Sequence, residues 1–357
     1  MLPQLSVVIC SLNGAAGVDR CLRSLETQTA WSSLEVIVVD DGSTDTTTAV
    51  ARAHDATVVR HAANLGLAAA RNSGISAAAA PIVAFLDDDC EPEPQWAAEL
   101  LAGYAAGVTG VGGPVVARLS DCFLGGYLQR NNPIKPAELH LAEDSGILAR
   151  LWLYLGRQWT RHDEFGRRDI YSFAGANMSF RRQALAEVGG FDERFRFGAE
   201  ELDLCMRLMR AFPSGRHLFI PEARVDHHFA PSMRDTLRRS RAYGRGTARL
   251  YRKWPSVGPT LFPGPFLVLA ILLASVRYPV LLAAALVTPH LLYPRGLRDA
   301  LARRSPASVL DAYVQLGQET CDNAGFLEGL WRFRHLKREP SAELPLASQG
   351  DEARLVP

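Results

Sequence analysis

Residues 82–89 read Ile-Val-Ala-Phe-Leu-Asp-Asp-Asp. Five apolar residues without a polar break, followed at once by three carboxylates, describe a strand buried on both faces whose C-terminal end opens onto a site. Open α/β sheets bind their ligands at such ends. Three adjacent acids repel one another, and a hard divalent cation with oxygen ligands joins them most simply. A solvated loop in which Asp87 caps the next turn would use the same residues, so the rest of the chain has to decide.

Ahead of this strand, β-rich runs alternate with helical spacing. Leu5 to Ile9, Leu34 to Val39 and Val58-Val59 are predicted strands, and Val18 to Gln28, Thr46 to His54 and Leu67 to Ala80 are predicted helices. The order βαβαβαβ predicts an α/β fold with a mainly parallel, doubly wound, Rossmann-like central sheet and helices on both faces. Polar loops follow the strand ends. Ser11-Leu-Asn-Gly14 follows the first, and Asp40-Asp-Gly-Ser-Thr-Asp45 follows the second. Ser43 or Asp45 would serve as a helix cap, whereas Asp40 and Asp41 at a strand end would accept hydrogen bonds from a ribose or base. The absence of G-x-G-x-x-G after the first strand argues against a dinucleotide-dependent dehydrogenase. In Asn64-Leu-Gly-Leu-Ala-Ala-Ala-Arg-Asn-Ser-Gly74, Arg71 stands among small residues that let a bulky anion approach.

At 357 residues and 48% apolar, the chain can bury a sizeable core, and a net charge of +1 gives no field to draw it to nucleic acid. The six cysteines are scattered, without C-x-x-C pairs or zinc spacing, which fits a reducing compartment. The N-terminus lacks a basic region followed by a long apolar run, which argues against secretion.

Four ordered stretches carry a resemblance: Ser6-Val-Val-Ile-Cys-Ser-Leu-Asn13, Val38-Val-Asp-Asp-Gly-Ser-Thr-Asp45, Asn64 to Asn72, and Phe85-Leu-Asp-Asp-Asp89. With Gly175-Ala-Asn-Met-Ser-Phe-Arg181, Val188 to Glu193, Glu200-Glu-Leu-Asp-Leu-Cys-Met-Arg207 and Pro221 to His227, the chain resembles family 2 glycosyltransferases of the GT-A fold over roughly residues 5–230. The resemblance implies a transferase that takes a sugar from a nucleoside diphosphate donor, UDP-sugars being favoured, with Mn2+ or Mg2+ as cofactor. Carried over by position, Ser11, Asn13, Asp41, Arg71, Asp87 and Asp88 belong to the donor pocket, Asp89 and Asp87 to the metal, and His227 approaches the metal or the diphosphate. The family inverts the anomeric centre in one displacement, which requires one general base. Here the sequence departs from the usual Glu-Asp pair: it has Glu200-Glu201, and Glu201 takes the position of the base with one more methylene. Asp203 is read as a support for the helix or pocket.

The irregular stretch Arg118 to Arg168 is read as a specificity segment, with Trp152, Tyr154 and Trp159 as core aromatics or a sugar platform. Beyond it, Arg234, Arg238, Arg241, Arg245, Arg249 and Arg252 recur at steps of four and three and line one face of a predicted helix, which Gly244 and Gly246 weaken. From Pro255 to Pro294 the only formal charge is Arg277, and Leu261 to Val276 and Tyr278 to Tyr293 are two apolar runs. Each is shorter than the roughly 20 residues of a comfortable span. A buried helical pair and a membrane hairpin both fit. Basic residues on both sides, Arg295, Arg298, Arg303 and Arg304 among them, favour a hairpin that crosses twice or dips in and returns, with both flanks cytoplasmic. Ser341 to Pro357 reads as disordered.

The expected organisation is therefore 1–115 for the nucleotide-sugar half, 116–230 for the acceptor and base half, 231–294 for the basic helix and apolar hairpin, and 295–357 for a C-terminal region. The expected role is inverting sugar transfer to a glycan or lipid-linked acceptor at the cytoplasmic face of the cell membrane, in making a cell-surface glycan or glycolipid, without nucleic acid. A non-catalytic nucleotide-sugar binder is one alternative. A nucleotidyltransferase is another, although Ser11 to Gly17 lacks the basic residue its phosphate loop would need.

Overall fold

The structure, a computed structural model, describes residues 2–118, 122–132, 134–136, 151, 154–156, 166–196, 198–229, 232–303 and 305–336. Strands β1 (Leu5–Ser11), β2 (Leu34–Asp40), β3 (Thr57–Arg60) and β4 (Ile82–Asp87) alternate with helices α1 (Ala15–Glu26), α2 (Thr47–Ala53) and α3 (Leu67–Ala77). Each neighbouring pair in β3-β2-β1-β4 is parallel, as the alternation predicts. The apolar runs lack polar alternation because both faces are covered. Leu5, Val7 and Ile9 of β1 pack with Val18 and Leu25 of α1, while Val8 points to the opposite core with Ala68 and Ala70 of α3. Each such aliphatic side chain contributes about 1.5–3 kcal/mol when fully buried, so the strand ends project from a rigid layer.

The chain continues through β5 (Cys90–Pro92), α4 (Trp96–Gly103), β6 (Val108–Gly112), β7 (Val115–Ala117), α5 (Phe123–Arg130), β8 (Arg168–Asp169), β9 (Asn177–Arg181), α6 (Arg182–Glu187), α7 (Glu200–Ala211), β10 (Arg216–Phe219) and β11 (Val225–His227). The main sheet has eight strands in the order β3-β2-β1-β4-β9-β6-β10-β8, with β9 antiparallel between β4 and β6. Segments 1–115 and 116–230 thus share one sheet. A second sheet, β5-β11-β7, sets His227 opposite Cys90 and so beside the acids that end β4. Buried Asn177 secures that junction: its Oδ1 accepts from Trp96 Nε1 at 2.9 Å and its Nδ2 donates to the Ala223 carbonyl at 2.8 Å.

The C-terminal part is helical: α8 (Met233–Lys253), α9 (Pro263–Ser275), α10 (Leu281–Leu292), α11 (Arg295–Arg303) and α12 (Asp311–Arg332). Ser232 caps α8 by accepting from the Asp235 N–H at 3.3 Å. The glycines that weaken α8 on propensity are what let it pack. A Cβ on Gly244 would stand 2.0 Å from the Asp322 carbonyl oxygen, and one on Gly325 would stand 2.0 Å from that of Arg241, so α8 and α12 cross backbone to backbone. The basic face of α8 is accordingly divided. Arg241 and Arg245 pair with Glu328 of α12 at 3.1 and 3.4 Å, and Lys253 pairs with Asp192 and Asp203.

Helices α9 and α10 form the predicted hairpin, packed on each other and on α12. Among the described residues no helix is long and apolar enough to cross a membrane; α9 has 13 residues and α10 has 12. Tyr154 lies in a polar cluster beside this hairpin, where it and Tyr293 donate to Glu319 at 2.8 and 2.6 Å. Trp152, Trp159, Arg304 and the segment from Ser341 lie outside the described residues.

Candidate active site

Buried Arg71 is the hub of the site. From α3 it donates to Glu200 Oε1 at 2.7 Å, to the Gly175 carbonyl at 3.0 Å and to Asp87 Oδ1 at 3.4 Å. The alanines around it let the guanidinium pass through the helix packing to the strand ends. Arg71 therefore touches carboxylates of the protein, and Glu200 is a partner that the sequence left without a role. Its available signal was an adjacent pair of acids at a helix start, with a lone cation among small residues elsewhere.

Left-handed backbone at Gly198 (φ +81°) and Ala199 (φ +66°) delivers Glu200 and Glu201 to the first turn of α7. A non-glycine residue in that region costs of order 1 kcal/mol, which the surrounding packing has to overcome. Glu200 turns to Arg71. Burial, and then the neighbouring Glu200 carboxylate, push Glu201 up to about 8. Asp203, one turn on, holds the helix as expected: it accepts from Trp254 Nε1 at 2.8 Å and Arg207 Nε at 2.9 Å.

On the other side, Asp89 Oδ1 lies 3.2 Å from His227 Nε2, and Cys90 Sγ completes a cluster whose ligand atoms lie within 4.8 Å of one another. His227 is 1% exposed and, among the described residues, its Nδ1 has no hydrogen-bond partner. Burial pushes the imidazole down to about 4 and the Cys90 thiol up, so both are neutral at pH 7. Asp89 rises to about 7 through burial and the charge of Asp87; Asp88 also rises to about 7, through burial and both neighbouring carboxylates. A carboxylate facing the Nε2 of a neutral imidazole fits a divalent cation such as Mn2+, and the crowded acids would be relieved by its charge. The neutral thiol adds no hard ligand.

Other predicted donor residues serve the loops. Asp88 turns away from Asp87 and accepts the Ser11 hydroxyl, tying the ends of β4 and β1. Asn13, in the left-handed region at φ +56°, donates its N–H to the Ser43 hydroxyl oxygen at 2.9 Å, and its Oδ1 accepts from the Thr44 N–H at 2.8 Å. Asp41 accepts from His61 Nδ1 at 2.7 Å and from the N–H groups of Leu65 and Gly66 at 2.9 Å each. The structure thus brings Asp89 and His227 into one cluster, leaves Asp87 outside it on Arg71 with Glu201 close by, and sets Ser11, Asn13, Asp41 and Asp88 as the frame beside them.

Helix α8 also reaches this centre, which its sequence did not announce. The Tyr243 ring lies against Gly198, where an added Cβ would stand 3.0 Å from it. One turn earlier, half-buried Arg239 is among the charges acting on Asp88, Asp89 and His227.

A sheet of this order, with paired acids at one strand end and a carboxylate at the start of a facing helix, is the GT-A fold of nucleotide-sugar transferases. Mannosyltransferase PcManGT from Pyrobaculum calidifontis, in complex with GDP-Man and Mn2+, matches it with a TM-score of 0.53 at 19% identity, over 93% of this chain and 88% of that one. The model for glycosyl transferase family 2 matches residues 6–189, and the chain belongs to that family. A pre-mycofactocin glycosyltransferase of Mycobacterium tuberculosis is 31% identical over 275 residues, 75% of this chain and 52% of the relative. A validoxylamine A glucosyltransferase of Streptomyces hygroscopicus is 36% identical over 229 residues, 58% of this chain and 51% of the relative. The chain spans about half the length of these relatives.

Proposed function

We propose that the chain transfers a sugar, with inversion, from a nucleoside diphosphate donor to a hydroxyl acceptor, with Glu201 as the general base. The observation that carries this reading is the environment of Glu201: a half-buried carboxyl at a helix start, beside buried Glu200 and with Arg71 and Asp87 as the further charges around it. The acceptor oxygen bonds to the anomeric carbon as the bond to the diphosphate breaks, and Glu201 takes the acceptor proton. Asp89, His227 and Asp87 would hold Mn2+ or Mg2+, which when bound offsets the charge developing on the diphosphate. Arg71 keeps Glu200 and Asp87 paired, so that Glu201 is the carboxylate left to take a proton. The PcManGT complex holds GDP-Man, so guanosine and uridine donors are both candidates here, with uridine retained as the first choice. The acceptor is a glycan or a lipid-linked sugar, in cell-surface glycan or glycolipid synthesis at the cytoplasmic face of the cell membrane.

Thermal shift with UDP, GDP and their sugars, with and without Mn2+, tests the donor. Glu201→Gln should retain the metal-dependent shift and lose about 10²–10⁴-fold in transfer; transfer at the normal rate would remove Glu201 from the base position. Asp89→Ala should abolish the metal-dependent part. Because Glu201 acts as the carboxylate and its value lies near 8, kcat/KM should climb with pH up to about 8 and then level. A profile already flat from pH 6 would contradict this.

A further inference from the structure

The proposed transfer makes no use of the α9–α10 hairpin. Its inner side rests on α12, where the Tyr313 hydroxyl donates to the Leu286 carbonyl at 2.8 Å. Its outer side is open and apolar: Leu273, Val276, Val280 and Leu291 are 66%, 86%, 78% and 69% exposed. A helix pair that serves only a protein core is apolar on an inner stripe and polar outside; here the outside is apolar too. A continuous apolar surface of this kind marks a partner or a membrane.

Charge and length identify which. Between Asp235 and Asp299 the chain carries ten Lys and Arg residues and no acid. Arg238, Arg241, Arg245 and Lys253 pair with acids of the protein, and the basic residues next to the hairpin itself, Arg277, Arg295 and Arg298, match an anionic surface. At 1.5 Å per residue, α9 and α10 are about 20 and 18 Å long, against roughly 30 Å of hydrocarbon, which corrects the reading of a hairpin that crosses twice. Standing upright in one leaflet, the hairpin would carry exposed Arg277 toward the bilayer centre, where a cation is strongly disfavoured. Lying flat, it leaves the Arg277 guanidinium, 5.3 Å from the Tyr278 ring centre, within reach of the headgroups.

We propose that the hairpin lies in the plane of an anionic membrane interface, its outer face in the acyl boundary of one leaflet and Arg277, Arg295 and Arg298 among the headgroups. An apolar groove of about 420 Å³ between the two helices and α12, bordered by Leu272, Leu282, Pro289 and Leu316, receives acyl chain there.

Flotation of the full chain with vesicles of phosphatidylcholine, alone and mixed with phosphatidylglycerol, tests this. The chain should float with the mixed vesicles and less with the neutral ones, and high salt should weaken binding without abolishing it. Leu273→Glu with Val280→Glu, both on the exposed face, should lower the bound fraction at least tenfold while melting temperature and the response to Mn2+ with nucleotide stay unchanged. Failure of the wild type to float, or equal flotation of the double variant, overturns the proposal. So does a dimer in size exclusion without vesicles that the double variant splits, since a second copy would then cover the face. Flotation does not depend on sugar transfer, so failure of one reading is separable from failure of the other.

Discussion

The acids that end β2 and those that end β4 look alike in sequence and differ in what satisfies them. Asp40 accepts the Ser43 N–H at 2.7 Å and the Thr48 hydroxyl, and Asp41 accepts three donors. Both are loop braces whose oxygens already have partners. At β4, Asp87 has a distant bond to Arg71, and Asp89 faces a histidine that burial keeps neutral. Strand-end carboxylates that meet N–H donors build the frame; those that meet one another and a neutral ring leave charge for a ligand to answer.

That contrast breaks most readily at Arg71, the cation the β4 side depends on. Arg71→Met would leave Glu200, which is 3% exposed, without its partner, and should cost about 3–5 kcal/mol of stability in denaturant titration. A loss within error of zero would mean that Glu200 finds another donor. The β2 side should respond less. Asp41→Asn places an amide N–H against donors from Leu65, Gly66 or His61, at a cost of about 1–3 kcal/mol. Its melting temperature should fall in the absence of metal and nucleotide alike. Unchanged stability with weakened nucleotide binding would return Asp41 to the donor pocket.

Much of this was legible in the chain itself. The uninterrupted run Ile82 to Leu86 gave the buried strand, and the alternation ahead of it gave the parallel half of the sheet, because buried strands and amphipathic helices follow from local pattern. The frame roles of Ser11, Asn13 and Asp41 were not legible, since a turn-forming Asp and a ligand-binding Asp share one sequence signature. Arg71 with Glu200 is a contact across 129 residues, which no local period encodes. The same holds for α8. Its arginines read as one basic face, and only the crossing with α12 at Gly244 and Gly325 decides which of them are consumed in pairs.

Arg239 is where that division touches the site, and it gives the smallest expected effect. Among the described residues it makes no ion pair, although it lies among the charges acting on Asp88, Asp89 and His227. A cation left there should meet the donor diphosphate. Arg239→Met should weaken binding of UDP or GDP with Mn2+ about tenfold, near 1.4 kcal/mol, and leave uridine or guanosine binding unchanged. Arg239→Lys should recover part of the loss, since a single ammonium supplies the charge without the fork. An equal loss for nucleoside and nucleoside diphosphate would make Arg239 a support of the pocket wall, and no loss in either would confine the diphosphate's partners to the β4 side.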